Sequence, residues 1–237
     1  MSVTALTRPR DPLVTLLTLL SAATGLVDAT SVLGLDKVFT ANMTGNVVFL
    51  GFAAIGTPGF HWPFYVLALL TFGLGAALSG RLAKRYAPHG RRKWLVMAAS
   101  GEACLLWLGA GFAALTPPSE HGKWSMYILI ALTSAAMGSR NATARQLKVA
   151  DLTTTVLTLT ITGIAADSHL AGGDAPNFWR RMRAVLAMLV GAAVGAYLVR
   201  LWGLAPPLAL AGLCVVAATL VLAADEIPSE NSSVRPR

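Results

Sequence analysis

Charge is scarce in this sequence. Asp, Glu, Lys and Arg together make up 13% of the 237 residues, about half the share found in a soluble domain. The deficit comes with uncharged apolar runs and not with Gly/Pro low complexity, so a soluble globular fold is the first class it excludes. Acidic residues are scarcer than basic ones, 11 against 19, which leaves a formal charge of +8. In a soluble protein that balance points to nucleic acid. Here the basic residues crowd the ends of apolar runs, as membrane anchors on the cytoplasmic side do, and no nucleic-acid partner is expected. Cysteine is limited to Cys104 and Cys214, each inside an apolar run, with no CxxC or Cys/His spacing. A structural zinc site is therefore unsupported. The four histidines, His61, His89, His121 and His169, all fall in connecting segments, so neither a metal nor a cofactor is expected. Gly-x-Ser-x-Gly, HExxH, Walker A and a well-placed GxGxxG are missing too, and the chain is not expected to be an enzyme.

What is present is apolar length. Residues 13–35, 38–56, 63–80, 94–115, 124–139, 152–166, 184–199 and 201–224 form eight apolar segments, interrupted inside only by Asp28 and Glu102. Pro206 and Pro207 mark the start of the last helix. About 20 apolar residues cross a hydrocarbon core as a helix. Backbone polar groups in lipid must be satisfied internally, which makes every such segment helical. The start has the outline of a signal peptide, with Arg8 and Arg10 before an apolar run. That run continues past its small residues, and its partner in an internal repeat lies mid-chain, so it is read as a retained first span.

The repeat is visible in four ordered matches. Gly25-Leu26-Val27-Asp28-Ala29-Thr30 aligns with Gly138-Ser139-Arg140-Asn141-Ala142-Thr143, and Thr40 to Asn46 aligns with Asp151 to Leu157. Gly51 to Ala54 then aligns with Gly163 to Ala166, and Gly75 to Leu78 with Gly191 to Val194. The expected organisation is a cytoplasmic segment 1–12, a first membrane repeat 13–115, a second 124–224 and a disordered tail 225–237.

Basic residues choose the topology. If all eight segments cross, eight basic residues face eleven, almost without bias. If 38–56 and 152–166 each enter and leave on one side, sixteen face three, namely Lys37, Lys123 and Arg200, and the positive-inside rule is met. The expected fold is all-α and integral to the membrane, with six transmembrane helices, two short re-entrant or broken helices and an inverted 3+3 internal repeat. Both termini would be cytoplasmic, in the cell's inner (plasma) membrane. Inverted repeats with broken helices mark many transporters, with the site near the bilayer midplane.

The candidate site residues follow from this. Thr40, Asn42, Thr44, Gly45 and Asn46 gather where an apolar helix opens, and Asp151, Thr153, Thr154 and Thr155 are their counterparts. Two half-helix amino-termini there would favour an anionic or polar ligand; the competing reading is hydrogen bonding between helices. Asp28 and Asn141 occupy equivalent positions. An intramembrane carboxylate is functional by default, and Asp28 could bind a proton or cation or cap the broken helix. Glu102 could couple protons, pair with a basic group not evident in sequence, or stay protonated. Arg140 could neutralise an anion or snorkel to the cytoplasmic end of its helix. Small residues at Gly75, Ser79, Ala76, Gly80, Gly191 and Gly195 allow close helix contact, read as internal packing ahead of a homo-oligomer interface.

Gly25 to Ala29, Leu33-Gly34-Leu35, then Val38-Phe39-Thr40-Ala41-Asn42-Met43-Thr44-Gly45-Asn46 with Gly51, together with Asn141-Ala142 and Thr153-Thr154-Thr155, resemble the signature of the YoaK-like family of bacterial multi-pass membrane proteins. The resemblance covers about residues 13–224. It implies a membrane location and fold and supplies no substrate. The expected function is a small secondary transporter or channel-like protein for a small anion or polar metabolite, in contact with the lipid bilayer. The alternative is a non-transporting scaffold or sensor that binds a lipid or partner protein.

Overall fold

The structure is a computed structural model that describes residues 12–116, 122–147, 157–175 and 177–224. These form eight α-helices: α1 Pro12–Gly34, α2 Met43–Ala54, α3 Trp62–Tyr86, α4 Arg91–Leu115, α5 Lys123–Gln146, α6 Leu157–Ala166, α7 Phe178–Trp202 and α8 Ala205–Ala224. No strand occurs among the described residues. Asp151, Thr153, Thr154 and Thr155, and the tail 225–237, lie outside them. Helices α5 and α7 are longer than their apolar segments and take in Arg140 and Arg145, and Arg180, Arg181, Arg183 and Arg200. Pro206 and Pro207 sit in the first turn of α8, where a missing amide hydrogen breaks no helical bond.

Four helical stretches are long and apolar enough to cross a membrane: Thr15–Gly34, Trp62–Tyr86, Arg92–Leu115 and Phe178–Trp202. Helix α8 offers a shorter apolar stretch, Ala205–Val221, and α2 and α6 are shorter still. At 24 residues α5 has the length but carries Ser125, Thr133, Ser134 and Arg140, all buried against its neighbours. A helix shielded by protein tolerates groups that lipid would not. Lipid-facing apolar surface lies instead on α3 and α7, where Leu70, Leu74, Leu78, Leu189, Val190 and Val194 are exposed.

The path between α1 and α3 leaves and returns at one end of the bundle. Asp36 and Lys37 turn the chain with φ of 57° and 61°. His61 Nδ1 lies 2.5 Å from Asp36 Oδ2, and Lys37 Nζ sits 5.0 Å from the centre of the Phe60 ring. The 12 residues of α2 therefore lie between two chain ends that touch, and α2 ends in Gly56, with φ of 76°.

Helix directions follow from which residues meet. The Phe64 ring packs at a tilt against Tyr127 and Ser79 bonds Thr143, so α3 and α5 run parallel. Gly25 meets Met188 and Gly195 meets Leu26, so α1 and α7 run parallel as well. Helix α8 opposes α1, with Leu204 on Gly34 and Ala218 beside Leu16 and Leu17. Helix α4 opposes α5, with Glu102 on Arg140 and Gly109 near Leu129. Exposed Trp62, Trp124 and Trp202 then share one end and exposed Trp179 the other, as aromatic residues at two membrane interfaces do.

The two parallel crossings are built alike. A Cβ on Gly75 would stand 2.1 Å from Ala135 O, and one on Gly138 would stand 2.0 Å from Phe72 O. At the other crossing, Gly25 would meet Met188 O at 2.2 Å and Gly191 would meet Ala22 O at 2.1 Å. Both crossings use glycine to bring helix backbones into contact, where dispersion drives association in lipid. Gly138→Ala and Gly191→Ala are each expected to lower the detergent melting temperature strongly, by several kcal/mol of lost packing. Gly80→Ala, with nothing within 4 Å, is expected to leave it unchanged; melting of purified variants checks this.

Candidate functional site

The interrupted backbone between α1 and α2 is held by two side chains. Asn46 acts as a strand would: its Oδ1 accepts from Phe39 N at 2.9 Å and its Nδ2 donates to Phe39 O at 2.5 Å. Asp28, reaching across from α1, accepts from Ala41 N at 3.0 Å through Oδ1 and from the Asn42 amide through Oδ2. Asp28 and Asn46 are both buried, and each satisfies backbone groups that the break would leave bare in hydrocarbon. Of the other residues expected here, Gly45 lies under the Phe39 ring, 2.5 Å from where a Cβ would stand, and Thr44 is exposed. Thr40 is buried with no hydrogen-bond partner for its hydroxyl among the described residues.

A second cluster lies deeper in the bundle. Arg140 on α5 and Glu102 on α4 are only 3% and 4% exposed. Arg140 Nε donates to Glu102 Oε1 at 2.5 Å, and its Nη2 contacts the same oxygen. Arg140 Nη1 donates to Leu20 O at 3.1 Å and to Thr24 Oγ1 at 3.0 Å. The guanidinium is thus tied to both α1 and α4, while the recorded bonds of Glu102 all go to Arg140. Glu102 and Thr24 fall near the middle of the apolar stretches Arg92–Leu115 and Thr15–Gly34, which puts the pair at mid-depth. Arg140 is therefore a core residue and not a snorkelling one. Asn141, next to it, donates to Met137 O at 2.8 Å along its own helix.

The two clusters adjoin. Asp28 follows Thr24 by one helical turn, about 6 Å along α1. A polar chain thus runs from Glu102 through Arg140 and Thr24 to Asp28, Asn42 and the break. Of the residues singled out in sequence, the structure brings Asp28, Thr40, Asn42, Gly45 and Asn46 together, and Arg140 with Glu102 beside them. Thr24 and the Leu20 carbonyl were not foreseen. Their signal would have been the need of an intramembrane arginine for acceptors on every neighbouring helix.

A cleft leads to the pair from one side. It lies between α1, α4, α5 and α8, walled mainly by Leu16, Leu17, Leu20, Leu95, Ala99 and Val215, with Thr143 and Thr219 among them and Glu102 and Arg140 at its inner end. These wall residues sit toward the end of the bundle where α1 begins. Beyond the pair the bundle is filled by buried Leu106, Leu129 and Leu208, and on the outer side of the α4/α8 seam half-exposed Trp107 packs on Gly212 and donates to Ala209 O at 3.2 Å. No group of three His, Cys, Asp or Glu residues able to hold a metal occurs among the described residues.

Residues 16–221 match the model of a family described as "Protein of unknown function (DUF1275)". The chain is similar to the UPF0700 transmembrane protein YoaK of Bacillus subtilis (strain 168), at 35% identity over 160 residues, 65% of this chain and 66% of that protein. The match therefore spans just under two thirds of the relative's length. No solved structure matches the chain.

Breaking a buried ion pair from one side costs about 3–5 kcal/mol, while replacing both partners by apolar groups is often neutral. Arg140→Met alone is expected to lower the melting temperature sharply, and Arg140→Met with Glu102→Leu to recover most of the loss. Asn46→Ala should cost about 2–4 kcal/mol through two unmet Phe39 groups, against no change for Thr44→Ala. Thermal unfolding of the four variants in one detergent measures both contrasts.

Proposed function

The chain belongs to the family of transmembrane proteins described as DUF1275, whose description carries no activity, and we propose that it is a small secondary transporter or channel-like protein. It moves a small anion or polar metabolite past Arg140 without transforming it. The observation that carries this reading is a cleft in the half of the bundle where α1 begins, which ends at a charged pair at mid-depth with buried Leu106, Leu129 and Leu208 packed beyond it. A buried site reached from one side is one half of an alternating-access cycle.

The membrane arrangement proposed with it is six spans, α1, α3, α4, α5, α7 and α8, with α2 and α6 re-entrant and the halves inverted. Several observations support it. Exchanging α1 with α5, α3 with α7 and α4 with α8 turns each principal helix contact into another: α1·α7 into α3·α5, α1·α8 into α4·α5, and α4·α8 into itself. Each helix of the first half runs opposite to its counterpart in the second. The crossing glycines exchange in the same way, since Gly25 aligns with Gly138 and Gly75 with Gly191. With Arg140 taken out of the loop tally, fifteen basic residues still face Lys37, Lys123 and Arg200. Both termini are then cytoplasmic, and the cleft opens to the cytoplasm.

One observation favours the other reading, a scaffold or sensor that binds a lipid. Asp28, Asn42 and Asn46 bond the break itself, and the cleft walls are apolar. The two readings separate in proteoliposomes. Transport predicts counterflow of at least one small anion or polar metabolite, reduced at least tenfold by Arg140→Gln; if every solute in a broad panel passes at the rate of empty vesicles, the scaffold stands in its place. Cysteine labelling in a Cys104→Ser/Cys214→Ser background tests the arrangement. Gly59→Cys and Gly122→Cys should label from the periplasmic face and Ala87→Cys from the cytoplasmic face, whereas a traversing α2 would move position 59 across.

A further inference from the structure

We propose that the cleft between α1, α4, α5 and α8 binds an organic monocarboxylic acid with an apolar tail, whose carboxylate replaces Glu102 on Arg140. This deepens the transport reading by naming a substrate class for the same site. It depends on that reading for the movement of the ligand and not for its binding.

The shape of the cleft selects the class. Leu16, Leu17, Leu20, Leu95, Ala99 and Val215 line it together with Thr143 and Thr219, whose hydroxyls already bond Ser139 O and Val215 O, and its charged groups, Glu102 and Arg140, lie together at one end. A sugar or a dicarboxylate would place hydroxyls or a second charge against leucine side chains, where polar groups find no partner. A molecule apolar along its length and anionic at one tip meets both surfaces. From Leu95 to Glu102 the wall runs about 10 Å along α4, the extended length of a chain on the order of six to eight carbons.

The bonding of the pair selects which partner yields. Arg140 is fixed to α1 by Leu20 O and Thr24 Oγ1 as well as to α4. The recorded bonds of Glu102 both go to Arg140. An incoming carboxylate can therefore take the place of Glu102 on a guanidinium that stays where it is. Carrying a bare anion into hydrocarbon is costly, and the exchange avoids it. The ligand arrives as the neutral acid, its O–H bond breaks, and the proton passes to a Glu102 oxygen. The ligand is left as the carboxylate on Arg140, and Glu102 as a neutral acid. No net charge enters the cleft. Among the described residues, the charged or titratable groups around Glu102 and Arg140 are Asp28 further along α1 and Cys214 on α8.

Octanoic acid is the probe, with octan-1-ol and octylamine as partition controls, on the full chain in nanodiscs of neutral lipid by titration calorimetry. Wild type should bind octanoic acid at least tenfold more tightly than either control at pH 5.5. Its affinity should fall by about tenfold per pH unit through pH 6–8, because the neutral acid is the form taken up. Each methylene removed should weaken binding by roughly fourfold. Glu102→Gln leaves Arg140 without its carboxylate, so it should bind the octanoate anion with no pH slope. Glu102→Gln with Arg140→Gln keeps the shape without buried charge and should bind octanoic acid no better than octan-1-ol. Equal binding of acid and alcohol by wild type, the same pH slope in wild type and Glu102→Gln, or tight binding by the double variant would each overturn the proposal. Binding with the predicted slope but no flux into vesicles upholds this site and ends the transport reading. Arg140-dependent flux of another anion, without octanoic acid binding, does the reverse.

Discussion

In the arrangement proposed, the chain is interrupted inside hydrocarbon and needs hydrogen-bond partners that lipid cannot supply, and the organisation of this protein follows from how it provides them. Each bare amide or carbonyl at that depth costs several kcal/mol. The first break answers with Asn46, which pairs both backbone groups of Phe39, and with Asp28, which reaches from α1 to Ala41 and Asn42. These bonds fasten the break to α1 at a fixed height. The return of the chain to the end it left, sealed by Asp36 and His61, depends on that attachment. Without the return, α3 would run the other way and could not lie parallel to α5.

That constraint explains why α1 and α5 are the polar helices and α3 and α7 the greasy ones. Helix α1 must present Asp28 to the break while packing on α7 and α8, and α5 must present Arg140 to α1 and α4. Both are enclosed by neighbours, so their polar groups are paid for by protein contacts. Helices α3 and α7 lie outside them and show leucine and valine to the surroundings. The glycine crossings then set how close inner and outer helices come. Gly75 and Gly138 join α3 to α5, and Gly25 and Gly191 join α1 to α7.

Much of this was legible before any coordinates. Apolar length located the helices, and the repeated glycines turned out to be the residues at which helix backbones meet. Those signals are local or repeat at a fixed offset, so one sequence displays them. The pairing of Glu102 with Arg140 was not legible, because it spans 38 residues and depends on the angle at which α4 and α5 cross. From the sequence, Asp28 and Asn46 read first as ligand-site residues, with a structural bond as the competing role; the geometry shows the bonds each makes to the break. Thr44 stood beside them in the motif, yet it is exposed, since successive residues on a helix point in different directions. Asp151, Thr153, Thr154 and Thr155, which align in sequence with this break, lie outside the described residues.

The repeat also bears on what the buried charge is for. In the sequence alignment Arg140 stands opposite Val27, which is fully buried in the apolar core. The same position in the same kind of helix is therefore filled by a hydrophobic side chain in one half and a guanidinium in the other. Packing alone does not call for the guanidinium, since valine serves at the equivalent place. A buried ion pair is weak support for stability, because desolvation offsets most of its attraction. Asp28 and Asn141 differ in the same sense, with the charge in one half and the amide in the other. In the inverted arrangement proposed, the scaffold repeats and the ionisable groups do not, as expected if the scaffold holds a single site and the charges serve that site.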